Sequence, residues 1–235
     1  MKVAITVDVE IDYGGRLGSS YRGVMEGIPK LLTFFKQHNV KATFFVVASL
    51  IPEFREVIEE IEREGHEIAC HGFNHEKYND PYLLNADLEK CKQIYPFKGF
   101  RSPYFITCSD HLKILNAHGF VYDSSKVPTL FPGRFNYLGT PSKPHKDIIW
   151  EVPVSTVLKI PFGLSFVKKI GLINNKLMFK GRDSVVFYCH AHEFVKFEQV
   201  PKHFKNNNDS FEILEKLITK TFRNAEFVEV KELTK

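Results

Sequence analysis

His71 and His75 stand four residues apart in "HEIACHGFNH", directly after a short apolar run. On that spacing alone they are as readily two polar loop residues as a metal-binding pair. Other chemically capable residues end other apolar runs. Asp8 and Glu10 close the first, Arg101 and Asp123 follow two in the middle of the chain, and His190 ends a late one. Two imidazoles and a carboxylate are a ligand set for catalytic zinc, which needs three protein ligands and an open position. A second carboxylate could act as general base on a water, with an arginine holding it in place and ionised. An imidazole from the opposite side could be the general acid. That set suits metal-assisted hydrolysis of an amide or ester.

Singly, a His or Asp at a strand end is more often a cap or a satisfied loop residue than a catalyst. Convergence is what matters, and the elements decide it. "KVAITVDVE" alternates as a strand, with Val3, Ile5, Val7 and Val9 on one face and Ala4, Thr6, Asp8 and Glu10 on the other. After a Gly-rich loop, "GVMEGIPKLLTFFKQHN" places Val24, Ile28, Leu31, Leu32 and Phe35 at helical spacing. "VKATFFVVA" is a near-continuous apolar run of the kind a buried parallel strand shows. "PEFREVIEEIEREG" predicts a helix stopped by Gly65, and "HEIACH" a third strand. A helix from Tyr82 to Ile94, a short strand at "GFRSP", a helix from Asp110 to His118 and a strand end at "FVYDSS" follow. This alternation predicts parallel βα units, in a barrel or in an open doubly wound sheet. In either, the C-terminal strand ends meet on one face, where active sites form.

The pattern loosens beyond. Residues 126–147 read as a long Pro/Gly loop, "IIWEVPVSTV" as a strand, and residues 158–183 as an irregular apolar lid or groove wall. "SVVFYCHAHEF" is a late strand with a polar end; Asp209 and Glu212 suggest a capping box for the helix "SFEILEKLITKTF", and "AEFVEV" a last strand. No repeat and no internal boundary is visible, so residues 1–235 read as one domain.

Composition excludes several classes. A hydrophobic content of 43% and a charged content of 26% are those of a globular chain with a sizeable core. The net charge of +4 is spread without a dense basic block, so no nucleic-acid partner is expected. No apolar run is long enough to span a bilayer, and the N-terminus lacks signal-peptide anatomy. Cys70, Cys91, Cys108 and Cys189 show no CxxC spacing, which points to reduced thiols in a cytoplasm. His66, His118 and His145 read as structural or exposed. The oligomeric state stays open, with a homo-oligomer among the options.

The same stretches carry a family resemblance. "TVDVE" is similar to the acidic motif of the polysaccharide deacetylases with a NodB-like domain, carbohydrate esterases of the family 4 type, where it usually reads TFDDG. "VKATFFV" resembles their second strand, "EGHEIACHGFNH" their HxxxH metal motif, "RSPY" their RxPY motif, "FVYDSS" their fourth motif and "VVFYCHAHEF" their last. "EVPVST" and the DVE reading are similar to members linked to exopolysaccharide assembly. The resemblance implies an α/β fold, an irregular, distorted βα barrel with about seven parallel strands. It implies metal-dependent removal of N-acetyl groups from an amino sugar in a glycan or glycan precursor, with zinc as the metal and cobalt, nickel or manganese as alternatives.

Residue by residue, the resemblance makes His71 and His75 metal ligands, Asp8 the general base and Arg101 its orienting partner. The backbone amide of Tyr104 would bind the oxyanion, His190 would protonate the leaving amine, and Asp123 would set the orientation of His190. His192 and Glu193 would shape the substrate pocket. The departure is Val9, where the usual pattern has a second Asp as ligand. Glu10, on the same strand face as Asp8, is the expected substitute; the alternatives are ligation by Asp8 or no metal. Two other readings stand beside this one. An allantoinase-like hydrolase of a cyclic amide would dispense with the metal, and a non-catalytic sugar-binding module would dispense with the chemistry.

Overall fold

The computed structural model describes residues 1–131, 135–170, 176–200 and 209–235. Residues 132–134 of the expected loop and 171–175 of the expected irregular segment lie outside the described residues. The first half alternates as expected: β1 (Lys2–Val9), α1 (Ile28–Gln37), β2 (Ala42–Val46), α2 (Arg55–Arg63), β3 (Glu67–Cys70), α3 (Pro81–Ile94), β4 (Gly99–Phe100), α4 (His111–Ala117) and β5 (Tyr122–Asp123). The second half carries short ladders: β6 (Leu130–Phe131), β7 (Phe135–Asn136), β8 (His145–Lys146), β9 (Trp150–Glu151), β10 (Thr156–Val157) and β11 (Ile160–Pro161). α5 (Leu164–Ile170), β12 (Ser184–His190), α6 (Ser210–Lys216) and β13 (Glu226–Phe227) complete it.

The strand order β12-β1-β2-β3-β4-β5-β9 gives seven parallel strands, with β8 antiparallel at one edge and β13 beside the start of β1. The sheet curls back on itself. Between its ends lies the segment that carries the β10–β11 ladder, which joins β12 by single bonds: the Ser155 amide donates to Val186 O at 3.0 Å and the Tyr188 amide to Phe162 O at 3.3 Å. This is the distorted barrel that the resemblance implied, and it decides between the two arrangements that the alternation left open.

The period of two along β1 decides what lies on each side. Val3, Ile5, Val7 and Val9 pack outward into the core that α1 supplies with Ile28, Leu31, Leu32 and Phe35. Ala4 packs inward with Phe45, Tyr122, Val186 and Tyr188, and Thr6, Asp8 and Glu10 share its face. Val9 is therefore a core residue, fully buried on the helix side.

Several expected elements differ in extent. The predicted helix over 23–39 opens with a wide turn, Gly23–Gly27, before α1 begins. The cause is close packing on the turn after β12. A Cβ at Gly27 would meet Ala191 O at 2.3 Å, and one at Gly23 would meet His192 N at 2.6 Å. The expected capping box at α6 is absent: Asp209 makes no side-chain cap bond, and Glu212 is taken by Lys216 instead. "IIWEVPVSTV" is broken into β9 and β10, and "AEFVEV" supplies only the two residues of β13. Among the described residues no helix is long and apolar enough to cross a membrane.

Candidate active site

Asp8 is the last residue of β1 with a register partner on β12, and that partner is His190. Paired residues of neighbouring parallel strands lie about 5 Å apart and point to the same face. A carboxylate and an imidazole therefore meet at the barrel mouth by register alone. Asp8 Oδ1 accepts from Arg101 Nη1 at 2.8 Å. Arg101 follows β4 and is completely buried. Its guanidinium also donates to Thr6 Oγ1 at 2.8 Å, to Ser124 O at 3.2 Å and to Ser124 Oγ at 3.1 Å, and its carbon end lies 4.0 Å from the Phe45 ring centre. With so many donors used, the arginine is a rigid clamp on one oxygen of Asp8.

Glu10, one pleat further on, meets different partners. Its Oε2 lies 2.5 Å from His75 Nε2 and 3.6 Å from His71 Nε2. His71 emerges from β3, and its Nδ1 lies 2.8 Å from the carbonyl of Arg101. Donation to that carbonyl fixes the tautomer and leaves Nε2 as a lone-pair donor facing Glu10. His75 reaches the same point through a left-handed backbone at φ 61°. Burial pushes the Glu10 carboxyl up, but the imidazoles of His75 and His71 outweigh it and hold Glu10 well below the usual carboxylate range. Ligand atoms of Glu10, His71 and His75 all lie within 4.8 Å of one another. Two imidazoles, one carboxylate and a fixed tautomer are a donor set that fits a divalent cation.

His190 closes the opposite wall. Glu193, three residues on, reaches back: its Oε2 accepts from the His190 amide at 2.9 Å and lies 3.3 Å from His190 Nδ1. Burial alone would lower the His190 pKa, but Glu193, with Glu10 and Asp8 nearby, raises it to about 9. The other oxygen of Glu193 accepts from Ser165 Oγ at 2.7 Å. Both oxygens are thus used, and Glu193 holds His190 in place while it also lines the cavity. His192 stacks on His190 with ring centres 5.1 Å apart and meets the Tyr13 ring at a tilt, 4.3 Å away. Burial pushes its pKa down to about 4, so it is neutral.

The Asp8, Glu10, His71, His75 and His190 side chains line one cavity of about 460 Å³, together with Tyr104, His192 and Glu193. Residues 158–183 contribute Ser165, Phe166, Lys168 and Lys169 of α5, so the described part of the irregular segment forms a wall of the groove. Tyr104 sits 4.6 Å ring to ring from His75, in a turn where Tyr104 and Phe105 take φ of 56° and 59°. Non-glycine residues seldom adopt that region, and a backbone amide held there is a feature of functional turns.

Residues 3–122, about half of the chain, match the polysaccharide deacetylase family. The chain belongs to that family. The matched stretch of this deacetylase-family chain holds Asp8, Glu10, His71, His75, Arg101 and Tyr104 and stops short of His190. A Helicobacter pylori peptidoglycan deacetylase is 32% identical over 121 residues, 48% of this chain and 41% of that protein. A Bacillus cereus peptidoglycan-N-acetylglucosamine deacetylase is 29% identical over 45% of this chain and 42% of its own length. The chain spans less than half the length of the curated relatives it matches. In fold, a solved putative polysaccharide deacetylase from Mycobacterium smegmatis superposes at TM-score 0.72 and 21% identity, over 99% of this chain and 88% of that one. The solved PuuE allantoinase superposes at 0.68 with 14% identity, over the same shares. The fold is common to both, so the site must tell them apart.

One expected site residue lies elsewhere. Asp123 is fully buried and does not line the cavity. Ser125 donates to its Oδ1, and His111 Nε2 lies 3.4 Å from its Oδ2. Burial would lower the His111 pKa, yet Asp123 raises it to about 9. Asp123 therefore does not orient His190, because Glu193 has taken that place from three residues away. Its reach runs instead through Ser125, whose Oγ accepts from the Ser102 amide at 2.8 Å at the start of the "SPY" turn. Ser124 and Ser125 hold the Arg101 loop, and their motif, "FVYDSS", was visible while their contacts were not. Asp12 was missed altogether. It is buried and accepts from Ser20 Oγ at 2.6 Å and from the amides of Arg22 and Gly23 at 2.8 and 2.9 Å, fixing the loop after β1. An aspartate ahead of the Gly23 turn is a cap-like signal that sequence alone could have offered. His66, His118 and His145 stand outside the cavity; His66 Nδ1 accepts from the Ala42 amide at 3.2 Å.

Proposed function

We propose that this chain is a hydrolase that removes the N-acetyl group from an amino sugar in a glycan or glycan precursor. The observation that carries the reading is the register pair Asp8 and His190, set beside the Glu10, His71 and His75 cluster in one cavity. A base and an acid side by side, next to a three-donor set with room at its open side, are what amide hydrolysis requires. A binding module would have no need of the base and acid pair.

The residues divide the work as follows. A divalent metal held by Glu10, His71 and His75, zinc in the first instance, would supply Lewis-acid activation of the acetyl carbonyl and of the attacking water. Asp8 accepts the water's proton, and Arg101 fixes which oxygen remains open to do so. The Tyr104 backbone amide donates to the oxygen that gains charge as the carbonyl becomes tetrahedral. His190, held at Nδ1 by Glu193, donates a proton from Nε2 to the departing amine. With its pKa raised to about 9, His190 carries that proton at neutral pH.

The test is acetate release from N-acetylglucosamine oligomers with added zinc or cobalt, and its loss on chelation. No release from any acetylated sugar by protein with demonstrated metal would reject the reading. Turnover of a cyclic amide by metal-free protein would favour the allantoinase-like alternative, against which the Glu10, His71 and His75 donor set weighs.

A further inference from the structure

The charges in the cavity are sorted by depth. Its carboxylates all have partners within the floor: Asp8 on Arg101, Glu10 on His75, Glu193 on His190 and Ser165. The mouth is the reverse. Arg16, Lys77 and Lys169 line it, and among the described residues no acidic lining residue lies beyond the three of the floor, while Lys168 sits deeper, half-buried near Glu193. They come from three separate elements: the loop after β1, the loop after His75, and α5. Arg16, Lys77 and Lys169 are exposed. Lys77 lies 5.4 Å from the Tyr104 ring centre, which places its charge one residue's width from the His75 side of the floor. Lys168 is fixed by donation to Ser210 Oγ at 2.8 Å. In a chain of net charge +4, three exposed cations on one opening are a concentration, not an average. A solvated basic face would not bring two loops and a helix together around a single cavity.

We infer that the cavity takes an anionic acetamido sugar, one bearing a phosphate or a carboxylate beside the N-acetyl group, with Arg16, Lys77 and Lys169 receiving the charge. This rests on the deacetylase reading for the acetamido part and adds the substrate's charge. A cleft with one sign of charge at its mouth raises the local concentration of the opposite ion. Tyr104 offers an aromatic face beside Lys77 for the sugar ring itself.

Affinity is to be measured on the wild-type chain by titration calorimetry, using N-acetylglucosamine 1-phosphate, N-acetylmuramic acid and neutral N-acetylglucosamine. Acetate release from the same three is followed in parallel. The anionic sugars are expected to bind roughly 10-fold more tightly than the neutral one. The preference should shrink between about 0.1 M and about 1 M salt, as the screening length falls from about 10 Å to about 3 Å. The phosphate arm and the carboxylate arm show which anion the mouth prefers. Lys77→Gln with Lys169→Gln should lower the ratio of anionic to neutral affinity several-fold, whereas Lys220→Gln, at a residue that does not line the cavity, should leave that ratio as in the wild type. Equal affinities at low salt, or a ratio insensitive to Lys77 and Lys169, would overturn the inference whether or not acetate is released. Tighter anionic binding without acetate release from any sugar would uphold it and reject the deacetylase reading instead.

Discussion

Two carboxylates one pleat apart on β1 live in opposite surroundings. Asp8 is bound to a guanidinium, which never gives up its charge, and Arg101 is completely buried around it. Glu10 is bound to imidazoles, which become neutral lone-pair donors when they lose a proton. A permanent cation holds a carboxylate still and leaves one of its oxygens open; it suits a base. Dischargeable partners leave a carboxylate free to join them on a metal. The difference teaches that the strand's alternation sets where the acids point, while the neighbouring strands β3 and β4 decide what each can do.

The largest effect should come from breaking the Asp8 corner. Asp8→Asn is expected to lower kcat by roughly 10³-fold, within the range of general-base contributions, while metal content stays unchanged. Glu10→Gln is expected to weaken metal binding on the order of 100-fold, read by equilibrium dialysis, with activity falling in proportion. If the Asp8 variant loses the metal and the Glu10 variant keeps it, the two roles are exchanged.

Next comes the clamp itself. Arg101→Met leaves Asp8 buried without its cation and should cost about 3–5 kcal/mol in urea unfolding. Combining it with Asp8→Asn should cost clearly less than the sum of the two changes, because the orphaned charge is gone. Additive costs would mean that the pair does not act as a unit.

A third test moves to the opposite wall. Glu193→Gln removes the partner that raises His190, so the alkaline limb of kcat should move to lower pH from its place near pH 9. The stability that the raised His190 pKa contributes is fully present below pH 6.5 and is lost as pH climbs through about 9. The variant should therefore lose stability at pH 6 and very little at pH 10. An unmoved limb would assign it to another group. The smallest effect is at Gly27→Ala, where the new methyl presses on Ala191 O; a cost of about 1–3 kcal/mol is expected, with a rise in KM as the turn behind His190 shifts.

The corners differ too in how far the sequence disclosed them. Asp8 and Glu10 sharing a face follows from a period of two, and the convergence of His71, Arg101 and His190 follows from strand ends in a parallel barrel. The helices α1 and α2 follow from their apolar spacing. What stayed hidden depends on geometry shorter than any period. Strands β4, β5 and β9 have two residues each, too few to show alternation. The backward reach of Glu193 to His190 is a turn contact, and Asp123, at an equally plausible strand end, was given its place. The wide turn at Gly23–Gly27 is invisible in the helical pattern because its cause, the Ala191 carbonyl, lies 164 residues away in the chain (191 − 27).

The position of β1 in the sheet has a consequence in time. It precedes every other strand of this fold in sequence, yet it pairs on one side with β12 and, at its start, with β13, both far along the chain. The Val230 amide also donates to Thr43 Oγ1 at 2.8 Å, tying the last residues to β2. Until those late segments emerge, β1 is paired with β2 alone along Ile5–Val9 and its other edge stays open, and pairings of such long reach form slowly. Asp8 and His190 meet only when that final zipping is done. A nascent or shortened chain can carry both residues and still hold them apart.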